Sequence, residues 1–579
     1  MRTMRRHRNR RLLVAVGLAA ALAGALAVFA AAPPPAAAGP SGPAEAPAIE
    51  FRDVTPQTGI AFVHTDGSCG KRWYAEPFAS GLAVFDYNND GRQDIYFLTG
   101  TPLRGTKTNL VPKSRLYRSD GSFRFTDVTD RAGVGNAGYG LGVAAGDYDN
   151  DGHLDLYVNT FGTNVLFHNK GDGTFTDVTK AAGVAGPEKL GAGANFLDYD
   201  GDGYLDLFVA RYVGWTYEKH VPRSYMGHPT YGEPRAYPRT PNSLYHNNRD
   251  GTFTDVSVES GIAAHRGAGM GTCCADYDKD GRTDILVAND LWQVFVFHNE
   301  GGGRFREVGL EVGLAYDDNA NPMSGMGVAC ADIDNDGWLD FFITVYNRQL
   351  PPLFRNLGGG LFEHATGRAA VWQGTIPYVK WGDAFADFDN DGHKDIFIVC
   401  GDVNDNVESF DKAVTYLAPP LALRNTGRGS FTNVSDACGL GALRLCGRGL
   451  APADLDGDGR VDVVILNSRR PPTILRNVSK NAGHWTQMDL RGTRTNRFGV
   501  GAQVKVVAGD LVQVEEVHSG QGYQSQFGMR VHFGLGPRDR IDRVEVRWIG
   551  GAREVFRDVA VDRTVTLTEG AGTPLAPAP

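Results

Sequence analysis

Cysteine is scarce, with seven in 579 residues, too few for a disulfide scaffold in a chain of this length. There is also no excess of positive charge. Lys plus Arg number 58 against 67 Asp plus Glu, for a formal net charge of −9. That leaves no basic footprint for a phosphate backbone and excludes nucleic acid as a partner. No G-x-S-x-G elbow, H-E-x-x-H helix or Walker A loop occurs, so the common signatures of serine hydrolases, zinc proteases and nucleotide-phosphate binders are missing. Gly140-Leu-Gly-Val-Ala-Ala145 imitates a dinucleotide fingerprint only in part, because it precedes an acidic loop instead of opening a helix.

No acidic residue precedes Glu45. Instead Arg2, Arg5, Arg6, Arg8, Arg10 and Arg11 lead into an apolar run from Leu12 to Ala32, followed by a Pro/Ala/Gly spacer to Pro47. A basic start, an apolar stretch and small residues at its end read as a secretory signal. The run is also long enough to stay in a bilayer as an N-terminal anchor. Either way residues 1–44 are expected to send the chain out of the cytoplasm, as a secreted, periplasmic or cell-surface protein. Contact with a membrane is expected only through this segment, if it is not cleaved.

What the sequence has in plenty is Gly, 75 residues, and one acidic loop. The pattern D-x-[DN]-x-D-G-x-x-D occurs seven times, and its oxygen-bearing positions 1, 3, 5 and 9 are as follows. The first loop has Asp86, Asn88, Asp90 and Asp94, and the second Asp147, Asp149, Asp151 and Asp155. The third has Asp198, Asp200, Asp202 and Asp206, and the fourth Asp276, Asp278, Asp280 and Asp284. The fifth has Asp332, Asp334, Asp336 and Asp340, the sixth Asp387, Asp389, Asp391 and Asp395, and the seventh Asp454, Asp456, Asp458 and Asp462.

A short β-branched or aromatic run follows each loop, and a Gly-rich apolar stretch such as Gly325-Met-Gly-Val-Ala-Cys330 precedes most of them. Small residues suit strands that converge on an axis. Two further elements repeat: L-[FY]-[RH]-N, as in Leu166-Phe-His-Asn169, and F-x-D-V-[TS], as at Phe125, Phe175 and Phe253. Each module is therefore four strands, the unit of a propeller blade. The chain opens on a surplus F-x-D-V-T at Phe51 and its last module, ending at Asn477, lacks one. Ring closure through a shared blade requires this phase. The expected fold is all-β: a seven-bladed β-propeller over residues 50–479, then a small antiparallel β-domain over 480–569 with partly alternating runs such as Val544-Glu-Val-Arg-Trp548, and a disordered tail over 570–579.

Oxygen ligands at positions 1, 3, 5 and 9, a turn glycine at position 6 and a carbonyl at position 7 suit Ca²⁺. The His and Cys that Zn²⁺ prefers are absent from these positions. The loops hold 27 of the 67 acidic residues, and clustered like charge calls for a cation. Up to seven Ca²⁺ ions are expected as folding ligands.

The repeated Asp loops with flanking F-x-D-V-[TS] and L-x-x-N elements resemble the FG-GAP/VCBS repeats of the integrin α-type propeller. Asn496-Arg-Phe-Gly-Val-Gly-Ala502, Ser519-Gly-Gln-Gly-Tyr-Gln-Ser-Gln526, Phe533-Gly-Leu-Gly536 and Val544–Trp548 resemble the UnbV/ASPIC domain, with one departure, Ile549 where a Pro is usual. The combination is similar to bacterial relatives of cartilage acidic protein. The resemblance implies an extracellular calcium-binding adhesion or interaction protein with no settled catalytic activity; the expected partner is a protein or glycan, and no catalytic or organic-cofactor-binding residues are assigned. The alternative is an enzyme or accessory factor of a biosynthetic or polysaccharide-processing pathway, with its site on one propeller face.

Two segments stand outside the repeat. Arg211 to Pro241 carries Tyr212, Trp215, Tyr217, Tyr225, Tyr231 and Tyr237 with His220 and His228. It reads either as a binding surface or as a loop packed on a blade edge. His220 and His228 in the channel beside a carboxylate would favour the enzyme; exposed aromatics would favour binding. Gly401 to Pro419, with Asp402, Asn404, Asp405 and Asn406, reads as an extra calcium site or a plain loop. Cys438 and Cys446 are near enough in sequence to bridge, whereas Cys274 and Cys330 occupy an apolar register and read as packed thiols.

Overall fold

The computed structural model describes residues 48–575, apart from 110, 136–137, 428 and 481–482. The leader and its spacer lie outside the described residues. Among the described residues no helix is long and apolar enough to cross a membrane.

Each acidic loop joins the first and second strands of a four-stranded antiparallel unit. In the fourth unit these strands are Gly269–Ala275, Asp284–Trp292, Phe295–Gly301 and Arg304–Glu307, paired in sequence order. In the last unit Gly447–Ala453, Asp462–Asn467 and Thr473–Asn477 are completed by Phe51–Asp53, with Phe51 opposite Asn477. The first strand among the described residues thus closes the ring, and the surplus F-x-D-V-T fills the missing place.

The inner strands pack at the axis by a rule visible in every unit. Five residues before each first Asp stands a glycine: Gly81, Gly142, Gly193, Gly271, Gly327, Gly382 and Gly449. A Cβ on Gly81 would lie 2.5 Å from the carbonyl oxygen of Leu141 in the next unit, and one on Gly142 2.1 Å from that of Ala192. The series continues around the ring and returns, because a Cβ on Gly449 would lie 2.4 Å from the Ser80 carbonyl of the first unit. No side chain fits such an approach.

Between units lie apolar cores. One joins Cys273, Leu286 and Val296 to Val328, Phe341 and Ile343, all buried. Each such side chain contributes roughly 1.5–3 kcal/mol on burial.

The asparagine of L-x-x-N binds one blade to the one before it. Asn247 is buried, and its Nδ2 donates to the Leu205 carbonyl of its own blade at 2.8 Å and to the Tyr148 carbonyl of the preceding blade at 2.7 Å. Asn169, Asn299, Asn356, Asn425 and Asn477 repeat this pair of bonds.

In the C-terminal domain, Gln503–Ala508 pairs with Leu511–Glu516 and with Arg543–Arg547, and Arg543–Arg547 with Arg553–Phe556. All of these pairings are antiparallel. One pairing in the domain is parallel, between His484–Arg491 and Thr564–Thr568. The tail expected to be disordered from 570 is not so up to 575. Thr573–Pro574 pairs with Glu554 and Val555, because the buried Glu554 carboxylate accepts the N–H groups of Gly570 and Gly572.

Removing an inter-blade asparagine leaves two buried carbonyls unpaired. Asn247→Ala should therefore lower the unfolding free energy by about 2–4 kcal/mol, seen as a lower denaturant midpoint at an unchanged m-value. Asn248→Ala, exposed in the same turn, should stay within about 0.5 kcal/mol.

Candidate metal centres in the aspartate loops

Backbone geometry builds each loop before any ion is considered. In the second loop, Asn150 at position 4 has φ 59° and Gly152 at position 6 has φ 92°. The chain therefore turns back on itself, and position 4 is an Asn, Gly or Lys in every loop. Asp147 accepts the N–H groups of Asp151 and Gly152, and Asp151 accepts that of His153. Asp155 accepts the N–H of Tyr148 through one oxygen and that of Asn169 through the other, at 2.7 Å. Position 9 thereby ties the loop to the third strand of its blade.

These bonds leave the carboxylates facing one another. Oxygens of Asp147, Asp149 and Asp155 all lie within 4.8 Å, as do ligand atoms of Asp149, Asp151 and His168, of Asp200, Asp202 and His246, and of Asp278, Asp280 and His298. Several buried oxygens have no hydrogen-bond partner: Oδ1 of Asp149, Asp334, Asp389 and Asp456 at position 3, Oδ1 of Asp276 and Asp332 at position 1, and Oδ2 of Asp284 at position 9. Orphaned carboxylate oxygens at the centre of a ring of carboxylates fit a hard cation. The first loop differs. Asn88 donates to Asp90, which also pairs with Arg92 at 2.7 Å.

A residue outside the loop pattern also faces it, the [RH] of L-[FY]-[RH]-N. His168 Nδ1 lies 3.4 Å from Asp149 and 3.2 Å from Asp155. His246 and His298 repeat this in the third and fourth loops. In the last three loops an arginine takes the place. Arg424 bridges Asp389 at 2.6 Å and Asp391 at 2.7 Å, Arg355 bridges Asp334 and Asp336, and Arg476 bridges Asp456 and Asp458. The sequence repeat marked these positions, but only strand pairing aims them at the carboxylates.

Burial pushes the loop acids up, Asp94, Asp147 and Asp332 to about 8 and Asp155 and Asp198 to about 7. The hydrogen bond to Asp155 raises His168 to about 9.

The C-terminal domain sits on the loop face. Gln487 donates to Asp454 at 3.0 Å, Arg547 pairs with Asp276, Arg497 donates to the Asn150 carbonyl, and Arg530 to that of Gly91. Residues 518–527 continue into the axis and supply partners to inner strands. Gln526 N–H donates to Leu82 O and its carbonyl accepts Val84 N–H, while Gly522 exchanges bonds with Val328. Tyr523 at the tip stacks edge-on against Trp381, which meets Phe78.

The 211–241 insertion lies at the other mouth. Tyr212, Trp215 and Tyr237 are buried against Tyr74, Phe78 and Trp73. Neither histidine lines a channel beside a carboxylate: His220 packs on Trp73 and Trp215, and His228 on Phe410. In the 401–419 segment Oδ2 of Asp402 and Oδ1 of Asn406 are buried without a hydrogen-bond partner, whereas Asp405 and Asn404 are engaged by neighbours. Arg72 and Arg469 neutralise Asp405, Asn404 accepts the Tyr231 N–H and Asn406 donates to the Pro229 carbonyl. Cys438 and Cys446 are unbridged, and each donates instead to a backbone carbonyl.

The raised loop carboxyls fix the sign of a pH effect. Their folded pKa lies above the unfolded value of about 4. The stability they contribute is whole below that value and is lost as pH rises through about 7 to 8. His64 and His532, held near 3 by burial, stay neutral above about pH 7 and do not oppose this. In EDTA, the urea midpoint should fall from about pH 7 to about pH 8.5; a flat or rising midpoint contradicts the burial of these acids.

The FG-GAP-like repeat matches residues 86–158, 151–209, 235–287, 276–343, 332–398 and 387–465, and the ASPIC and UnbV domain matches residues 492–574. Cartilage acidic protein 1 of Mus musculus is 27% identical over 522 residues, 84% of this chain and 73% of the mouse protein. The Homo sapiens protein is 27% identical over 515 residues, 83% of this chain and 70% of its own. Among solved structures, the BP39L lectin from Burkholderia pseudomallei aligns at a TM-score of 0.40 and 10% identity, over 69% of this chain and 96% of the lectin. By its repeats, and by the domain docked on their acidic loops, the chain belongs to the family of FG-GAP-like repeat proteins with a C-terminal ASPIC and UnbV domain.

Proposed function

We propose that this protein is a calcium-stabilised propeller that acts outside the cytoplasm as an interaction module for a protein or glycan partner. The observation that carries the calcium reading is the set of buried, unpartnered carboxylate oxygens at positions 1, 3 and 9 of the loops. Positions 1, 3, 5 and 9 would hold the ion, with the position 7 carbonyl. Bound Ca²⁺ supplies charge neutralisation and fixed loop geometry. The chain's own residues divide six of the loops into two electrostatic kinds. Arg355, Arg424 and Arg476 already place a guanidinium on positions 3 and 5, whereas the His168, His246 and His298 loops offer a smaller, titratable cation. The propeller is thereby stiffened on the face where the C-terminal domain docks.

The interaction reading rests on family membership and on what the insertion leaves outside. Of its six aromatics only Tyr225 is exposed, at 58%, next to Met226 at 74% on the tip of the hairpin Arg223–Tyr225 and His228–Thr230. An aromatic with a polar tip on a rigid hairpin suits protein or glycan contact. The leader read in the sequence supports an extracytoplasmic location.

Calorimetric titration of the EDTA-stripped chain should find several Ca²⁺ per chain, a higher unfolding temperature in Ca²⁺ but not in Mg²⁺, and loss of the pH dependence described above. No calcium uptake, or equal stabilisation by Mg²⁺, would sink the metal reading. On glycan and matrix-protein arrays, binding should need Ca²⁺ and weaken at least tenfold in Tyr225→Ala. Binding that ignores this substitution moves the contact surface elsewhere.

A further inference from the structure

A second cluster of ligand atoms lies away from the acidic loops, where the inner strands of the fourth and fifth blades meet the axial segment. Cys273 and Cys330 face each other with their sulfurs 3.2 Å apart, and His518 Nε2 lies 3.4 Å from Cys330 Sγ. All three ligand atoms fall within 4.8 Å of one another. Cys273 is 0% exposed, and Cys330 and His518 are each 5% exposed.

The histidine is already oriented. Its Nδ1 is 3.1 Å from the Cys274 carbonyl oxygen. A carbonyl only accepts, so Nδ1 carries the proton and Nε2 turns its lone pair to the sulfurs. A backbone carbonyl holding the far ring nitrogen is the arrangement that fixes metal-binding histidines. Burial keeps this ring neutral, at about 4.

Packing alone does not explain the sulfur of Cys273. At its register the other six blades carry Ala83, Ala144, Asn195, Ala329, Ala384 and Ala451, so alanine suffices in five of them. A cavity of about 90 Å³, lined by Cys330, His518, Glu516 and Gln521 among others, opens beside the cluster. It has room for a few waters.

We infer that Cys273, Cys330 and His518 bind one thiophilic divalent cation, with Zn²⁺ as the type ion, at a site separate from the aspartate loops that ties the C-terminal domain to the fourth and fifth blades. Two thiolates and an imidazole are the donors such an ion prefers, whereas Ca²⁺ seeks oxygen. Two sulfur–metal bonds form, two thiol protons leave to solvent and one dication enters, so the buried site gains no net charge. Bonds of about 2.3 Å to sulfur and about 2.0 Å to nitrogen require the sulfurs to part by roughly half an ångström. The cavity leaves the fourth position for water.

The test uses the full chain, kept reduced and saturated with Ca²⁺ so that the acidic loops are filled, with Co²⁺ as the probe. One Co²⁺ per chain should bind with a near-ultraviolet sulfur-to-cobalt charge-transfer band and tetrahedral visible bands, and Zn²⁺ should displace it. Cys273→Ser and Cys330→Ser should abolish the two-thiolate spectrum, and His518→Ala should weaken binding about 10–100-fold. Because either serine variant can fail to fold, X-ray absorption on the Zn²⁺-loaded wild type gives a second readout, which should show two sulfur neighbours at about 2.3 Å. Only oxygen and nitrogen neighbours, a cobalt spectrum without charge transfer, or a Cys273–Cys330 disulfide persisting under reductant would each overturn the inference.

Discussion

Seven strands meeting at one axis leave no room for a side chain where each passes its neighbour. The carbonyl of one inner strand lies where the Cβ of the next would be, so glycine recurs at a single register around the ring, from Gly81 to Gly449 and back to Ser80. Much else follows from this approach. In six blades a register shift falls in the inner strand near its glycine. The strands bring their next turns, the acidic loops, to one rim. Where the axial segment passes an inner strand most closely it too has glycine: a Cβ on Gly520 would lie 2.2 Å from the Ala194 carbonyl.

Crowding at the rim creates the electrostatic problem that organises the rest. Each loop folds by using carboxylates as acceptors for its own N–H groups, which buries charge that the loop alone does not neutralise. The protein answers in part with its own cations, a histidine or arginine from the third strand of six of the blades. The C-terminal domain adds Arg547 on Asp276 and an amide, from Gln487, on Asp454. The acidic loops are therefore also the surface on which the second domain docks, and ion binding and domain docking draw on the same oxygens. The other mouth is closed differently, by aromatic packing between the insertion and residues 73–78, with buried carboxylates such as Glu76 and Asp290 accepting from Tyr231 and Tyr212.

Periodicity carried the sequence reading a long way. Strand modules, their phase, closure through Phe51–Asp53 and the clustering of positions 1, 3, 5 and 9 were all legible, because repetition separates a rule from an accident. What single motifs are for was less legible. L-x-x-N reads as a strand end, yet its asparagine spans two blades, a contact that exists only after the blades stack. The aromatic insertion was open between surface and packing until Tyr212, Trp215 and Tyr237 met Tyr74, Phe78 and Trp73. The acidic stretch from Asp402 to Asn406 looks like another metal loop by composition, but Arg72 and Arg469 arrive from more than 60 positions away. Cys438 and Cys446 are close in sequence and do not bridge, whereas the sulfurs that approach are Cys273 and Cys330, 57 positions apart.

The sequence by itself determined the repeat unit, the ring and the chemical character of its loops. Backbone pairing, turn glycines and local carboxylate spacing act within a few residues, and seven copies state them redundantly. Only the tertiary structure decided which side-chain cation faces each of six loops, that residues 518–527 enter the axis, that Gly570 and Gly572 are held by Glu554, and that two cysteines and a histidine from three separate elements converge. Those are contacts between segments with no common period. They depend on how blades stack and domains dock, and a short-range pattern carries no information about either.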